Sequence, residues 1–352
     1  MNLARRRRLL RALTRAFQAV FLRVAVRGLE HIPPDGPLLV LFNHLSSLDG
    51  PLVVANFPHE LELVGPGDFR LAWPGPLAVR AYGMTLIRRG RPDRQSLRTL
   101  IAHLKAGRRV AMAPEGGTWE KGITGVKPGA AYLSQVTGAP MLPVALGGIY
   151  GVEDAALQLK RPRVTVTFGP LMPPVPPSRD RRRRDADLEE ASRAIMQRLY
   201  DLLPPEDRAL YDRWGRARYA LRVDFARLED GTPLALEEPL PDLSALASFI
   251  ARPNLFRPMW QNARLSVEPF RERRFFAPLE VKIAARELME TLAAGDYADY
   301  LAYRLGDAQA VAVMADLEAL RALCDLAMAH HARLRLVPVE AVGSSPTIEI
   351  PG

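Results

Sequence analysis

The stretch Leu38-Leu39-Val40-Leu41-Phe42-Asn43-His44-Leu45-Ser46-Ser47-Leu48-Asp49-Gly50-Pro51 decides how the chain folds. Its first five residues are uniformly apolar and follow the turn residues Pro33-Pro34-Asp35-Gly36-Pro37, so Leu38–Phe42 reads as a short buried strand. The apolar run from Leu48 through Ala55 reads as a helix, with Ser47 as its expected N-cap. A buried strand that hands a histidine, and five residues later an aspartate, to the start of a helix is where α/β folds place their sites. An imidazole near its unperturbed pKa accepts a proton from an alcohol. A carboxylate on its other nitrogen fixes the tautomer and stabilises the imidazolium. Positions five apart lie on different faces of a regular helix, so His44 and Asp49 meet only if the segment bends; Ser46-Ser47 and Gly50-Pro51 make a bend plausible. The plain alternative has His44 bonded to backbone and Asp49 in the first helical turn, where acids complement the macrodipole.

Working outward, Val24–Val26, Leu61–Val64, Met84–Ile87, Arg109–Ala113, Met141–Leu146 and Arg163–Phe168 read as further strands. Gln95–Lys105 and Ala130–Thr137 read as helices closed by Gly107 and Gly138. Alternating strands and helices predict an α/β fold: a largely parallel mixed sheet flanked by helices. Pro170 to Pro177 is proline-rich, Arg179–Arg184 is a charge run, and 187–203 reads as a helix. From Pro204 the chain turns to helices rich in Ala, Leu and Arg with no chemical motif. Cys324, the single cysteine, sits in an apolar helical run and reads as a small buried hydrophobe. His330-His331 are adjacent, which does not place them on one helix face, and no metal site is expected.

The chain has 352 residues and a net charge of +9, and residues 1–27 alone carry eight arginines and no acid. The basic character is therefore local. Leu10, Leu13, Phe17, Val20, Phe21 and Val24 recur at spacings of three and four, with Arg8, Arg11 and Arg15 opposite. Such a helix suits a bilayer interface or packing on the protein's own core. It also has the composition of a mitochondrial transit peptide, although it runs straight into the first strand candidate. Arg11, Arg15 and Arg23 interrupt it too often for a transmembrane span. With no basic surface elsewhere, nucleic acid is not an expected partner.

Three more blocks follow strand candidates in order: Gly83-Met84-Thr85-Leu86-Ile87-Arg88-Arg89, Pro114-Glu115-Gly116-Gly117 and Leu142-Pro143-Val144. Taken alone, Arg88 and Arg89 are equally a solvated strand end. Together with His44 and Asp49, this ordered set resembles the phospholipid/glycerol acyltransferase family, over residues of about 28 to 175. The resemblance implies a glycerolipid acyltransferase-like fold and an O-acyltransferase that moves a fatty acyl group from a thioester to a lysophospholipid hydroxyl, 1-acylglycerol 3-phosphate first among acceptors. His44 would be the general base and Asp49 its orienting partner. Arg89 would hold the acceptor phosphate, Glu115 and Gly116 would shape the acceptor site, Pro143 would shape the pocket wall, and Lys127 matches a lysine often found after the third block. The donor would be acyl-CoA or acyl carrier protein, with no metal or redox cofactor.

The resemblance also implies a peripheral protein on the cytoplasmic face of a membrane, which favours the interface reading of the N-terminal helix. The implied organisation is a basic amphipathic helix over 1–27, an acyltransferase domain over 28–178, a charged linker or helix over 179–204, and a mainly helical region over 205–352. Two positions depart from the family pattern. Gly117-Thr118 stands where Thr-Arg is usual, and Arg88 stands where an acid or Asn is frequent. Both bear on the acceptor, so a glycolipid or aminolipid acceptor stays open, as does a membrane-binding protein that keeps the fold without turnover.

Overall fold

The computed structural model describes residues 2–68, 71, 75–117, 120–122, 127–178, 180, 183–341 and 348–349. The departure at Thr118 and part of the Arg179–Arg184 run lie outside the described residues. The chain divides into two units, one of residues 1–67, 73–88 and 92–215, the other of residues 68–72, 89–91 and 216–352.

The first unit runs α1 (Leu3–Phe21), β1 (Arg23–Arg27), β2 (Leu38–Phe42), α2 (Asp49–Asn56), β3 (Glu62–Pro66), α3 (Gly75–Tyr82), β4 (Thr85–Ile87), α4 (Arg94–Lys105), β5 (Arg109–Met112), α5 (Gly129–Thr137), β6 (Met141–Gly147), α6 (Val152–Leu157), β7 (Arg163–Phe168), α7 (Arg184–Leu202) and α8 (Pro205–Arg216). Its strands form one sheet in the order β1-β7-β6-β2-β5-β3-β4. β2 pairs in parallel with β5 and β6, and β3 with β4 and β5, whereas β7 runs antiparallel to β6. The expected largely parallel mixed sheet flanked by helices is therefore present.

All five residues of β2 are buried, as the unbroken apolar run demands. One face of the sheet buries Leu38, Val40 and Phe42 with Leu52, Phe57, Val144 and Phe168. The other buries Leu39 and Leu41 with Leu100, Leu104, Leu133 and Ile195. Full burial of such side chains contributes about 1.5–3 kcal/mol each. Pro143 is tolerated inside β6 because it stands opposite the end of β7. Its carbonyl accepts from Gly169 N at 2.8 Å, and the N–H it lacks would be needed only beyond Phe168.

The N-terminal helix differs from expectation in which face it buries. Leu10, Phe17, Phe21 and the following Val24 pack on the unit's own core. Arg7 is buried, with a two-pronged pair to Glu62 (3.1 and 2.6 Å) and a hydrogen bond to Tyr82 O at 3.0 Å. Arg15 donates to Ala55 O at 2.8 Å, and Arg11 donates to Phe57 O and Pro58 O. Arg11 and Arg15, expected to face lipid, instead satisfy the carbonyls at the C-terminal end of α2. Leu9, Leu13 and Val20 are left exposed. With Ala12, Ala16 and Ala19, also exposed, they make a different apolar stripe whose first turn is flanked by exposed Arg5 and Arg8.

The second unit contains β8 (Arg218–Arg227), β9 (Pro233–Leu234), α9 (Ser244–Ile250), α10 (Pro253–Ala263), α11 (Pro278–Ala293), α12 (Gly295–Leu305), α13 (Asp307–Ala329), β10 (Ala332–Ala341) and β11 (Ile348–Glu349). The helices are as expected, but the four-stranded sheet β11-β10-β8-β9 is not. β8 and β10 pair antiparallel along ten residues each. Cys324 is fully buried on α13, and burial pushes its thiol up to about 12, which suits packing rather than reactivity.

Candidate active site

β2, β5 and β6 are neighbours and run the same way, so the loops that follow them open at one edge of the sheet. Those loops carry His44, Glu115 and the segment from Gly148 to Glu153. This is the crevice at the carboxyl ends of parallel strands where α/β sheets bind ligands.

His44 and Asp49 meet. The imidazole Nδ1 lies 2.8 Å from Asp49 Oδ2. The same oxygen accepts from Leu45 N at 2.7 Å and Ser46 N at 2.9 Å. The carboxylate thus pulls the loop into the bend that the five-residue spacing requires. Asp49 is 0% exposed whereas the His44 side chain is 28% exposed. Burial pushes the Asp49 carboxyl above its ordinary pKa, while the donors from His44, Ser46 and Leu45 pull it back. A carboxylate on Nδ1 places the imidazole hydrogen there and leaves Nε2 to accept a proton. The Phe42 ring stands edge-on to the imidazole at 6.0 Å between centroids.

Ser47 does not cap α2. The helix begins with Leu48 at its N-cap position and no side-chain bond there. Both serines turn instead to Glu153 in the first turn of α6. Its Oε1 accepts from Ser46 Oγ (2.6 Å), Ser47 N (2.8 Å) and Ser47 Oγ (3.1 Å). Two carboxylates therefore hold the bend, Asp49 from inside and Glu153 from outside. Asn43 closes the end of β2: its amide exchanges hydrogen bonds with Leu146 N (2.7 Å) and Leu146 O (3.0 Å), standing in for a strand residue.

Glu115 joins the pair, its Oε1 accepting from His44 N at 3.3 Å and from Tyr211 OH at 3.2 Å. Gly116 and Gly117 have φ of +75° and +141°, values that a residue with a Cβ adopts only under strain. Tyr211 comes from α8, and burial followed by the charge of Glu115 raises its hydroxyl well above the ordinary tyrosine value. One turn earlier on α8, Asp207 accepts from Gly148 N at 2.9 Å. Neither Glu153 nor Tyr211 belongs to a sequence block that marks it as part of the site.

Pro143 is buried in β6 beside Leu41 of β2. Lys127 is half-buried just ahead of Pro128, the N-cap of α5. Arg89 belongs to the second unit, where its guanidinium fork closes on Asp68, Nε to Oδ2 and Nη2 to Oδ1, both at 2.6 Å. Its Cζ lies 4.6 Å from the centre of the Tyr300 ring. Among the described residues no group of three or more His, Cys, Asp or Glu could hold a metal ion. No helix among them is long and apolar enough to cross a membrane.

An α/β sheet with a histidine–carboxylate pair at its strand ends defines a domain equipped for proton abstraction. Residues 23–147 match the Acyltransferase family model. Among curated proteins, 1-acyl-sn-glycerol-3-phosphate acyltransferase alpha of Ovis aries is 30% identical over 162 residues, 44% of this chain and 55% of that protein. The Homo sapiens protein of the same name is 31% identical over 129 residues, 36% of this chain and 46% of that protein. The chain thus spans about half the length of the curated relatives it matches. The solved structure of the 1-acyl-sn-glycerophosphate (LPA) acyltransferase PlsC from Thermotoga maritima has a TM-score of 0.41 and 22% identity, covering 54% of this chain and 78% of that one.

Proposed function

We propose that the chain is an O-acyltransferase that moves a fatty acyl group from a thioester donor, acyl-CoA or acyl carrier protein, to a hydroxyl of a lysophospholipid, 1-acylglycerol 3-phosphate. The observation that carries the reading is the 2.8 Å contact between His44 Nδ1 and the buried Asp49, in a region that matches the Acyltransferase family model. His44 Nε2 takes the hydroxyl proton as the oxygen attacks the thioester carbonyl. The C–O bond forms, the C–S bond breaks, and the departing thiolate takes the proton from the imidazolium. Glu115 and Gly116 shape the acceptor side, and Lys127, Pro143 and Arg89 keep the substrate-binding roles that the resemblance implies.

A phosphate at Arg89 has to displace Asp68 from a bidentate pair. That favours a second reading, acylation of a lipid whose headgroup lacks the phosphate. Purified protein given labelled acyl-CoA should acylate lysophosphatidate at least tenfold faster than monoacylglycerol, read by chromatography of the lipid products. Activity confined to the phosphate-free acceptor would select the second reading. We further propose that the protein works as a peripheral protein on the cytoplasmic face of a membrane, with the exposed stripe of α1 (Leu9, Leu13, Val20) laid against the bilayer.

Glu153 supplies a test of the bent loop. Hydrogen bonds to a charged acceptor contribute about 1.5–3 kcal/mol each. Glu153→Ala strands three donors and lets His44 drift. Its expected effect is a loss of roughly tenfold or more in kcat with little change in KM. Glu153→Gln keeps one acceptor oxygen and should recover most of the rate. Equal rates for the Ala, Gln and parent proteins would mean that Asp49 alone sets the bend.

A further inference from the structure

Leu157 and Leu159, at the turn between α6 and β7, are 82% and 70% exposed, more than any other large apolar residue described. The turn that carries them is built, not slack. Leu159 N donates to Ala156 O and Lys160 N to Ala155 O, both at 3.0 Å, the paired closure that ends many helices. The left-handed position of that closure usually holds glycine, yet here it holds Leu159 at φ +56°, and Arg161 follows at φ +47°. Surroundings must impose such angles on residues with a Cβ, and they are found where a side chain is held out for use. Arg161 Nη2 donates to Ala19 O of α1 at 2.9 Å, and Arg23 N donates to Pro162 O at 2.9 Å. The turn is thereby fixed against the exposed end of α1, beside Val20. Lys160, Arg161, Arg163 and Arg23 are all exposed around it, and residues 155–163 contain no acid.

We propose that the turn at 157–163 is a second membrane-contact element, which sets Leu157 and Leu159 into an anionic bilayer alongside the stripe of α1. A bilayer accepts leucines into its acyl region and cations at its phosphates within a few ångströms of each other, and this turn presents that order. The proposal rests on the membrane reading of α1, so the experiment separates the two. The full chain is sedimented with vesicles of phosphatidylcholine alone or mixed with phosphatidylglycerol. The double variant Leu157→Ser/Leu159→Gly should bind the mixed vesicles at least tenfold more weakly. The glycine removes backbone strain, so the circular dichroism and the rate on detergent-dispersed acceptor should not fall. Lys160→Ala/Arg163→Ala should erase the preference for anionic vesicles. Parental binding by the double variant, alongside lost binding by Leu13→Ser/Val20→Ser, would overturn the proposal and leave the α1 reading standing. No vesicle binding by the parent would overturn both. A parent that sediments as a dimer, and a double variant that sediments as a monomer but keeps vesicle binding, would assign the turn to contact between copies and overturn it as well.

Discussion

His44→Ala should lower kcat for acyl transfer by about 10²–10⁴-fold, the usual contribution of a positioned general base, while the protein stays folded. The imidazole is the one group of the pair that reaches solvent, whereas Asp49 is closed off beneath it. Removing the ring leaves the sheet, the Asn43 closure and the Glu153 clamp in place, because none of them is built from the His44 side chain. Asp49 keeps the donors Leu45 N and Ser46 N and loses only the third. KM for both substrates should move little, since the ring acts on the proton and not on either substrate's bulk. The measurement is initial rate against acceptor concentration with purified protein, with circular dichroism as the folding control. A variant within about tenfold of the parent rate would mean that another group takes the proton, and the mechanism would have to be rebuilt around it.

The sheet and the His44–Asp49 contact were legible in the sequence because both depend on local signals. An unbroken apolar run such as Leu38–Phe42, entered from the turn Pro33–Pro37, is a buried strand wherever helices can cover it. The strand-end positions of His44 and Glu115, and the place of Pro143 within β6, follow once the strands are placed. What the sequence hid was carried by long-range pairing. Glu153 lies 106 residues from Ser47, and Tyr211 lies 96 from Glu115, so no local pattern marks either. Arg11 and Arg15 are expected at lipid because amphipathicity shows how charges are spaced and not which partners they meet. Arg7, Arg11 and Arg15 found Glu62 and the carbonyls at the end of α2. The strand β10 is a different kind of miss. Arg333-Leu334-Arg335-Leu336 alternates in the period of a half-buried strand, with Leu334 and Leu336 buried, but it comes within a few residues of a 23-residue helix with no Gly or Pro between. Arg89 shows the limit of a motif. The block singles the residue out, but a carboxylate, Asp68, sits on its fork.

Asp49→Asn should separate activity from stability. For activity, an amide whose oxygen keeps Leu45 N and Ser46 N carries no charge to stabilise the imidazolium, and one turned to give its NH₂ to Nδ1 selects the wrong tautomer. In the serine-hydrolase triad the same change costs about 10⁴-fold, and a loss of roughly 10³–10⁴-fold in kcat is expected here. For stability the sign is opposite to the usual carboxylate case. Burial raises the Asp49 pKa in the folded state above its ordinary value of 3.8. Between the unfolded pKa and the raised folded one, the folded state binds more protons, so stability falls as pH rises through that window and stays lower above it. The asparagine cannot ionise and does not suffer that fall. Against this gain stands one buried amide group at the position of Oδ1, which has no hydrogen-bond partner; an unsatisfied amide costs about 1–3 kcal/mol. The two effects oppose each other, so the thermal midpoint at neutral pH should lie within about 5 °C of the parent's. Below the window the parent carboxyl is protonated as well, so the parent should gain stability relative to the variant as pH falls through it. Midpoints and initial rates measured together across pH would show this pattern. A variant that keeps most of its rate would reduce Asp49 to an acceptor for the loop. A variant that unfolds at neutral pH would make the carboxylate a structural charge, and the raised pKa would then have to be offset by interactions stronger than those of His44, Leu45 and Ser46.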